Sequence, residues 1–324
     1  MPRLMPTLAD MGERKAVKEL LRFFDRGLSP GLGDDCGIIP WGDEYLLLTT
    51  DVVNEKTHFP KGTTPYDMGW YSVAINLSDI AAMGGHAVAF IAALSLPRTT
   101  DFSILSEIAR GMDACTKQFG VAVYGGDTKE ADSISIAGVA AGRVKKDHIL
   151  LRTGCRPGDI LAVTGDVGHG GWALESIRQH GPTREALEVL LHPIPRLDVG
   201  VTLSESGAVT GCMDTSDGLA SSLGQLSQTN NVGFEVEEDK LPLFGRVKTL
   251  TAVKSTSVAL YSGGDFELVA TIKPEAFDAA QAAVAKRGSR FTAIGHVTKV
   301  RELTLITAKG KEPFLDRGWE HFRM

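Results

Sequence analysis

The sequence predicts two α/β (α+β) domains, and three observations lead to that class. The chain has 324 residues, more than one compact core usually serves. Short apolar runs alternate along it with segments of helical spacing, the pattern of helices packed on sheets. A polar cluster, Arg152-Thr153-Gly154-Cys155-Arg156-Pro157-Gly158-Asp159, interrupts the alternation near the midpoint and marks the boundary. The expected division is 1–150 and 151–324.

The elements follow in order. Val17, Leu20, Leu21 and Phe24 share one helical face, so a helix is expected over 16–24, stopping at Arg26-Gly27. Residues 44–50 read as a strand that delivers Asp51 at its C-terminal end. Residues 66–83 form a helix closing on Gly84-Gly85, a glycine pair suited to a C-terminal cap. A buried strand over 87–96 ends at Pro97, and Asp101 caps a helix to about 119. Residues 121–124 are a short strand ending on Gly125-Gly126-Asp127, paired with 133–144. After the boundary come a strand at 160–164, a helix from about Trp172, and helices at 184–191 and 197–204. A strand at 209–213 ends on Asp214, and a helix covers 219–229. Strands at 268–272, 291–297 and 303–306, with a helix at 275–287, complete the second half.

Composition excludes several classes. A net charge of −6 opposes a nucleic-acid surface, for which a basic patch is expected; Lys145-Lys146 and Arg152 are only a local cluster. Cys36, Cys115, Cys155 and Cys212 lie far apart with no paired spacing, as reduced cytosolic thiols do. No basic start with an apolar run opens the chain. The longest apolar stretch, 87–96, is half of what a bilayer requires. A cytoplasmic protein without membrane or nucleic-acid partners is expected.

Seven aspartates sit in five phrases rich in Gly, Ser and Thr: Gly33-Asp34-Asp35, Thr49-Thr50-Asp51, Asn76-Leu77-Ser78-Asp79, Gly125-Gly126-Asp127-Thr128 and Asp214-Thr215-Ser216-Asp217-Gly218. Singly, each reads as a cap or turn, because Asp favours both. Together they suggest oxygen ligands for a hard divalent cation such as Mg²⁺, which joins one or two carboxylates to substrate phosphates. Were they to converge, each close pair would repel by about 4 kcal/mol at ~4 Å and an effective dielectric of ~20. Protonation or bound cations would then be needed.

No Gly-x-x-x-x-Gly-Lys-Ser/Thr string exists, so a P-loop is excluded. Gly31-Leu32-Gly33 follows Ser29-Pro30 rather than a strand, so it is no dinucleotide fingerprint. The glycine-rich loop 165–171 joins a strand to a helix; it is either an anion cradle of backbone N–H groups or a tight capped turn. Ser216 between two aspartates reads as a turn rather than a nucleophile. His58 is either a solvated loop residue or a substrate contact, and His86, His169 and His192 lack paired ligand spacing.

In this order, the phrases resemble the thiamine-monophosphate kinase family, of the superfamily that includes aminoimidazole ribonucleotide synthetase and selenophosphate synthetase. The likeness runs from Gly12-Glu13 to Gly318-Trp319. It includes 74–84, Arg152-Thr153-Gly154, and His192-Pro193 with Pro195-Arg196. Thr57-His58-Phe59 after Asp51 favours the kinase over the purine-pathway synthetase. The selenophosphate synthetases' glycine-rich loop and the terminal cysteine of the hydrogenase-maturation relatives are both missing.

The resemblance implies a two-domain synthetase-like fold whose N-terminal sheet forms a barrel with a second copy, and direct ATP-dependent phosphorylation of thiamine monophosphate to thiamine diphosphate. It implies Mg²⁺ at Asp35, Thr49, Thr50, Asp51, Asp79, Asp127, Asp214 and Asp217. Asp51, Asp79 and Asp127 would act at the reacting phosphates. ATP contacts would come from Gly126, Asp127, Arg152 and Ser216, and acceptor contacts from His58 and Trp319.

Where the family reads Gly-Gly-Glu-Asp-Tyr-Glu-Leu, this chain has Ser262-Gly263-Gly264-Asp265-Phe266-Glu267-Leu268. Gly264 therefore replaces a substrate-contacting glutamate. Either Asp265 substitutes or the acceptor preference differs. A related ATP-using enzyme acting on another small acceptor and a non-catalytic nucleotide-binding regulator stay open as alternatives.

Overall fold

The structure, a computed structural model, describes residues 6–24, 32–250 and 253–322. Arg26-Gly27, Ser29-Pro30 and Gly31 lie outside the described residues.

The first half opens with α1 (Leu8–Met11) and α2 (Glu13–Phe24), then β1 (Gly37–Trp41), β2 (Glu44–Asn54), α3 (Pro65–Ala82), β3 (His86–Leu96), α4 (Phe102–Gln118), β4 (Val123–Glu130) and β5 (Ser135–Lys145). Its sheet has the order β1-β2-β5-β3-β4. All pairings are antiparallel except β3 with β4. β2 alternates as the period-2 pleat requires: Leu47, Thr49 and Val53 are buried, while Leu48, Thr50 and Val52 are exposed.

The buried face is covered by α3, and α4 packs outside α3. α3 carries no apolar stripe because it is enclosed on nearly all sides. It packs on β2, β3 and β5 and also on α6 (Arg184–Leu191), α7 (Leu197–Ser206) and β7 (Val209–Asp214) of the second half. Its start is a capping box between Thr64 and Asp67. Its end is a Schellman turn, in which Gly85 N–H reaches the Ile80 carbonyl at 2.9 Å and Gly84 N–H reaches Ala81 at 3.0 Å. Gly84 has φ +68°, which explains the glycine signal there.

The second sheet has the order β12-β11-β8-β10-β6-β9-β7. Its further strands are β6 (Ile160–Thr164), β8 (Gly233–Glu237), β9 (Leu268–Ile272), β10 (Phe291–Thr298), β11 (Leu303–Thr307) and β12 (Gly310–Pro313). The remaining helices are α5 (His169–His180), α8 (Leu219–Asn230), α9 (Ser255–Tyr261) and α10 (Phe277–Ala285). One core cluster contains residues of both halves, among them Leu77, Phe90, Cys212 and Leu268.

Two expectations are corrected. β2 runs on to Asn54, so Asp51 lies inside the strand; its neighbours Val52 and Val53 sustain the β pattern. Gly125-Gly126-Asp127 likewise lies inside β4, not at a strand end, because the parallel ladder with β3 continues to Leu96–Glu130. Among the described residues no helix is long and apolar enough to cross a membrane.

Candidate active site

A cleft of about 750 Å³ gathers aspartates from both halves: Asp34, Asp35, Asp51, Asp79, Asp214 and Asp217. β2 brings Thr49, Thr50 and Asp51, α3 brings Asp79, the loop before β1 brings Asp34 and Asp35, and the end of β7 with the turn after it brings Asp214, Ser216 and Asp217. Asp35, Asp79 and Asp214 each offer a carboxylate oxygen, and the three oxygens lie within 4.8 Å of one another.

Neighbouring polar groups hold these carboxylates. The Thr49 hydroxyl donates to Asp79. Ser78 Oγ donates to Asp214 Oδ2 at 2.7 Å and Ser216 Oγ to Asp214 Oδ1 at 2.8 Å. Asp51 N–H donates to Asn76 Oδ1 at 3.2 Å. The Arg152 guanidinium reaches Asp35 Oδ1 at 2.6 Å, and its backbone N–H reaches Asp34 Oδ1 at 2.7 Å. Ser216 thus lies in the expected turn, yet the turn presents three cleft residues.

Burial disfavours the charged form of Asp34, Asp51, Asp79, Asp214 and Asp217, and repulsion from neighbouring carboxylates adds to it. Burial, then Asp214 and Asp35, push Asp51 up to about 6. Burial and Asp214 push Asp217 up to about 7, and burial pushes Asp34 up to about 6. Burial and the charges of Asp51, Asp214 and Asp35 drive Asp79 far above the carboxylate range. Among the described residues, buried Asp35 Oδ2 has no hydrogen-bond partner. Converging acidic oxygens, threonine hydroxyls and an unpartnered buried oxygen form the donor set a hard divalent cation takes. Asp35, Asp51, Asp79 and Asp214 would hold it.

Aromatic rings line the same cleft. Trp319, half exposed, and His321 are tied down by Trp319 N–H to Asp217 O at 3.0 Å and His321 N–H to Glu13 Oε2 at 3.0 Å. The rings run Trp319, His321, His58, Phe59, Tyr71, Phe266, with successive centroids 5.3 to 6.4 Å apart. Asn54 N–H donates to His58 Nδ1 at 3.2 Å, so a neutral ring carries its proton on Nε2. Burial, then His321, hold the His58 pKa below its ordinary value.

Of the expected site residues, Asp35, Thr49, Thr50, Asp51, His58, Asp79, Arg152, Asp214, Ser216, Asp217 and Trp319 line this cleft. Gly126 and Asp127 do not line it within one chain. All of β4 is exposed at the sheet edge, and among the described residues Asp127 pairs locally, with Thr128 N–H at 2.9 Å and Lys129 Nζ at 3.5 Å. The aromatic contributors Tyr71 and Phe266 escaped the sequence reading, since aromatics at helix or strand spacing read as core.

Asp265 does not face the cleft as a substitute carboxylate. It is buried and accepts from Gly168 N–H at 2.7 Å and Gly170 N–H at 3.2 Å. The loop 165–171 is therefore a turn capped by the chain's own carboxylate, which occupies the position open to an external anion. Glu267 is committed as well, to Arg196 and, at 2.6 Å, to Thr164 Oγ1.

Comparison with known proteins matches this chain to two family profiles in tandem: AIR synthase related protein, N-terminal domain, over 33–144, and its C-terminal domain over 156–308. A thiamine-monophosphate kinase of Pyrococcus abyssi (strain GE5 / Orsay) is 35% identical, with 97% of each chain covered. One from Halobacterium salinarum (strain ATCC 700922 / JCM 11081 / NRC-1) is 36% identical, covering 91% of this chain and 96% of its own. The solved structure of AaThiL complexed with AMPPCP and TMP superposes with a TM-score of 0.85 at 25% identity, covering 98% of this chain and 99% of that one. Thiamine-monophosphate kinase from Stenotrophomonas maltophilia K279a does so at 0.77 and 30% identity, covering 90% and 95%. With two synthase-related domains in series and full-length similarity to these kinases, the chain belongs to the thiamine-monophosphate kinase family.

Proposed function

We infer that this chain transfers the γ-phosphoryl group of ATP to thiamine monophosphate, giving thiamine diphosphate and ADP. The observation that carries the reading is one cleft that gathers both an acidic, cation-binding cluster and a run of aromatic rings. The first suits two polyphosphates, and the second suits a flat cationic ring. An oxygen of the acceptor phosphate attacks the γ-phosphorus in line. The bond to the β–γ bridging oxygen breaks, and ADP leaves with that electron pair. The attacking oxygen is already anionic at neutral pH, so neither a general base nor a phosphoenzyme is required.

When bound, Mg²⁺ supplies positive charge to the phosphate oxygens. Asp51 and Asp79 would be its first ligands, with Asp35, Asp214, Asp217, Thr49 and Thr50 completing the set that would hold it. Arg152 and Ser216 position the nucleotide. Trp319 stacks on the thiazolium ring, and His58, with its proton on Nε2, contacts the thiamine monophosphate. Catalysis is then positioning and charge neutralisation.

We also propose that two copies associate through their N-terminal sheets, closing a barrel. Supporting this are Ile39, Trp41, Leu48, Val52 and Ile91, which stay exposed on one side of that sheet, an apolar face that solvent does not favour. The roles of Gly126 and Asp127 depend on this association, since only a second copy would bring them to a cleft. The division at 150/151 is likewise proposed, on the two sheets that fall either side of it. Four free, buried thiols support a reducing cytosol as the working compartment.

The direct test incubates purified protein with ATP, Mg²⁺ and thiamine monophosphate and quantifies thiamine diphosphate by chromatography. Formation dependent on all three is expected. Folded protein that yields none would overturn the assignment.

A further inference from the structure

Trp319 lies on a strap, residues 314–320, that forms neither helix nor strand. Among the described residues, the one ring its half-exposed indole meets is that of His321, edge-on at 5.7 Å. Where the indole stands is therefore set by the strap's backbone and by whatever holds that backbone. On one side it rests on the turn carrying Asp217. A Cβ on Gly318 would lie 2.1 Å from the Asp217 carbonyl oxygen, and Trp319 N–H donates to that same oxygen at 3.0 Å.

The other fastening comes from the opposite end of the chain. Arg14, in the first turn of α2, donates from its guanidinium to Asp316 Oδ1 on the strap at 2.7 Å and to Ser221 Oγ on α8. Its backbone N–H donates to Glu320 Oε1, 306 residues away, at 3.2 Å. A strap carboxylate thus meets the start of α2, where unpaired amides and the helix dipole favour an anion. Glu13 Oε2 accepts the His321 N–H at 3.0 Å. Trp319 is bracketed by these bonds, with Asp316 three residues before it and Glu320 and His321 directly after it. No residue of α2 is buried, so polar bonds carry this junction.

Resting on the kinase reading, we propose that Arg14 is a positioning residue for the acceptor: by tying Asp316 to Ser221 it fixes the strap that presents Trp319 to the acceptor's ring. Arg14 itself does not line the cleft. With the strap released, Trp319 has to be ordered each time the acceptor binds, and that cost falls on acceptor affinity. The Arg14 charge also favours the ionised form of Asp217. A variant that keeps the charge is therefore needed beside one that removes it.

The experiment measures steady-state rates with thiamine monophosphate and ATP varied separately, in wild type, Arg14→Gln and Asp316→Asn. Each substitution is also made in a Trp319→Ala background. Asp316→Asn cuts the bond from the strap's side and leaves the Arg14 charge beside Asp217. Both single variants are expected to raise KM for thiamine monophosphate about tenfold, which is what ordering one or two side chains on binding costs. In Asp316→Asn, kcat and KM for ATP should stay within about twofold of wild type. In the Trp319→Ala background neither substitution should add more than about twofold, because both act through that ring. Thermal protection by Mg-ATP reports that each variant is folded. Losses that multiply with Trp319→Ala, or that fall equally on ATP in Asp316→Asn, overturn this proposal and leave the kinase assignment standing. An unchanged KM for thiamine monophosphate in the folded variants overturns it as well. Wild type that forms no thiamine diphosphate overturns the kinase assignment, and the proposal with it.

Discussion

Asp79 sits where opposing demands on one side chain meet. It lies inside an enclosed helix, takes the Thr49 hydroxyl, and stands within ligand distance of Asp35 and Asp214. Without a cation, each such pair costs about 3 kcal/mol at a separation of ~5 Å and an effective dielectric of ~20, unless a proton is taken up. The site is thus a place where stability is given up for cation binding, as functional sites commonly are. Asp79→Asn removes one negative charge and keeps an oxygen for Thr49. Turnover is expected to fall by roughly a thousandfold or more, as when charge-stabilising groups are removed elsewhere. The cation-free variant is expected to melt about 2–4 °C higher for each kcal/mol of repulsion relieved. Its melting temperature should also rise less than wild type's when Mg²⁺ is added. Melting curves with chelator and with Mg²⁺, beside steady-state rates, check all three. A variant that melts lower without cation, or that keeps wild-type turnover, contradicts this account.

At the scale of elements, α5 shows how a buried carboxyl can serve a helix rather than a substrate. Asp265 accepts the first amides of α5 and meets the helix's positive end, yet burial pushes its pKa up to about 7 from an ordinary 3.8, with Glu267 adding repulsion. The charged groups facing it are Glu267 and, through Glu267, Arg196; His169 stands at the same helix start. Because the folded value is the higher one, the folded protein binds more protons than the unfolded chain between the two values. The stabilisation is therefore complete below pH ~4 and lost as pH rises through about 7, with at most about 4 kcal/mol at stake. Asp265→Asn cannot titrate. Denaturant midpoints of both proteins from about pH 5 to 8 should show wild type losing stability relative to the variant as pH rises. Parallel slopes would show that Asp265 does not carry this linkage.

Such elements also mark what sequence alone can deliver. The 160–164 strand and the helices expected over 66–83, from Asp101 to about 119, over 184–191 and from 219 to about 229 were legible because period, cap and glycine signals agreed, as at Asp101 and Gly84-Gly85. The cleft's aspartates were legible as phrases, though only the fold shows Asp35, Asp79 and Asp214 within reach of one another. Asp265 was misleading, because nothing local reveals that its partners are the amides of residues 168 and 170. β1, β8, α9 and β12 gave no usable pattern. They are short, and tertiary packing decides them rather than propensity.

For the whole molecule, the unresolved relation is between a cleft that is nearly complete in one chain and an edge strand that lies outside it. β4 carries Gly126 packed against Ala92 of β3, where a Cβ would lie 2.0 Å from the Ala92 carbonyl oxygen, and Asp127 exposed beside it. The same sheet exposes Trp41 at 71% and Val52 at 60%, more apolar surface than an isolated sheet face favours. If a second copy covers this face under two-fold symmetry, each cleft receives Asp127 from the other chain. Complementation distinguishes this from a site built by one chain. Asp79→Asn and Asp127→Asn proteins, each inactive alone, are mixed, unfolded and refolded together. Shared sites give heterodimers with one doubly altered cleft and one intact cleft, so random pairing restores about a quarter of wild-type activity. Sites built within single chains leave every cleft with one defect, and the mixture stays inactive. Sedimentation of the wild type should independently give a species of twice the chain mass. A monomer with full activity would remove both the barrel and the shared aspartate.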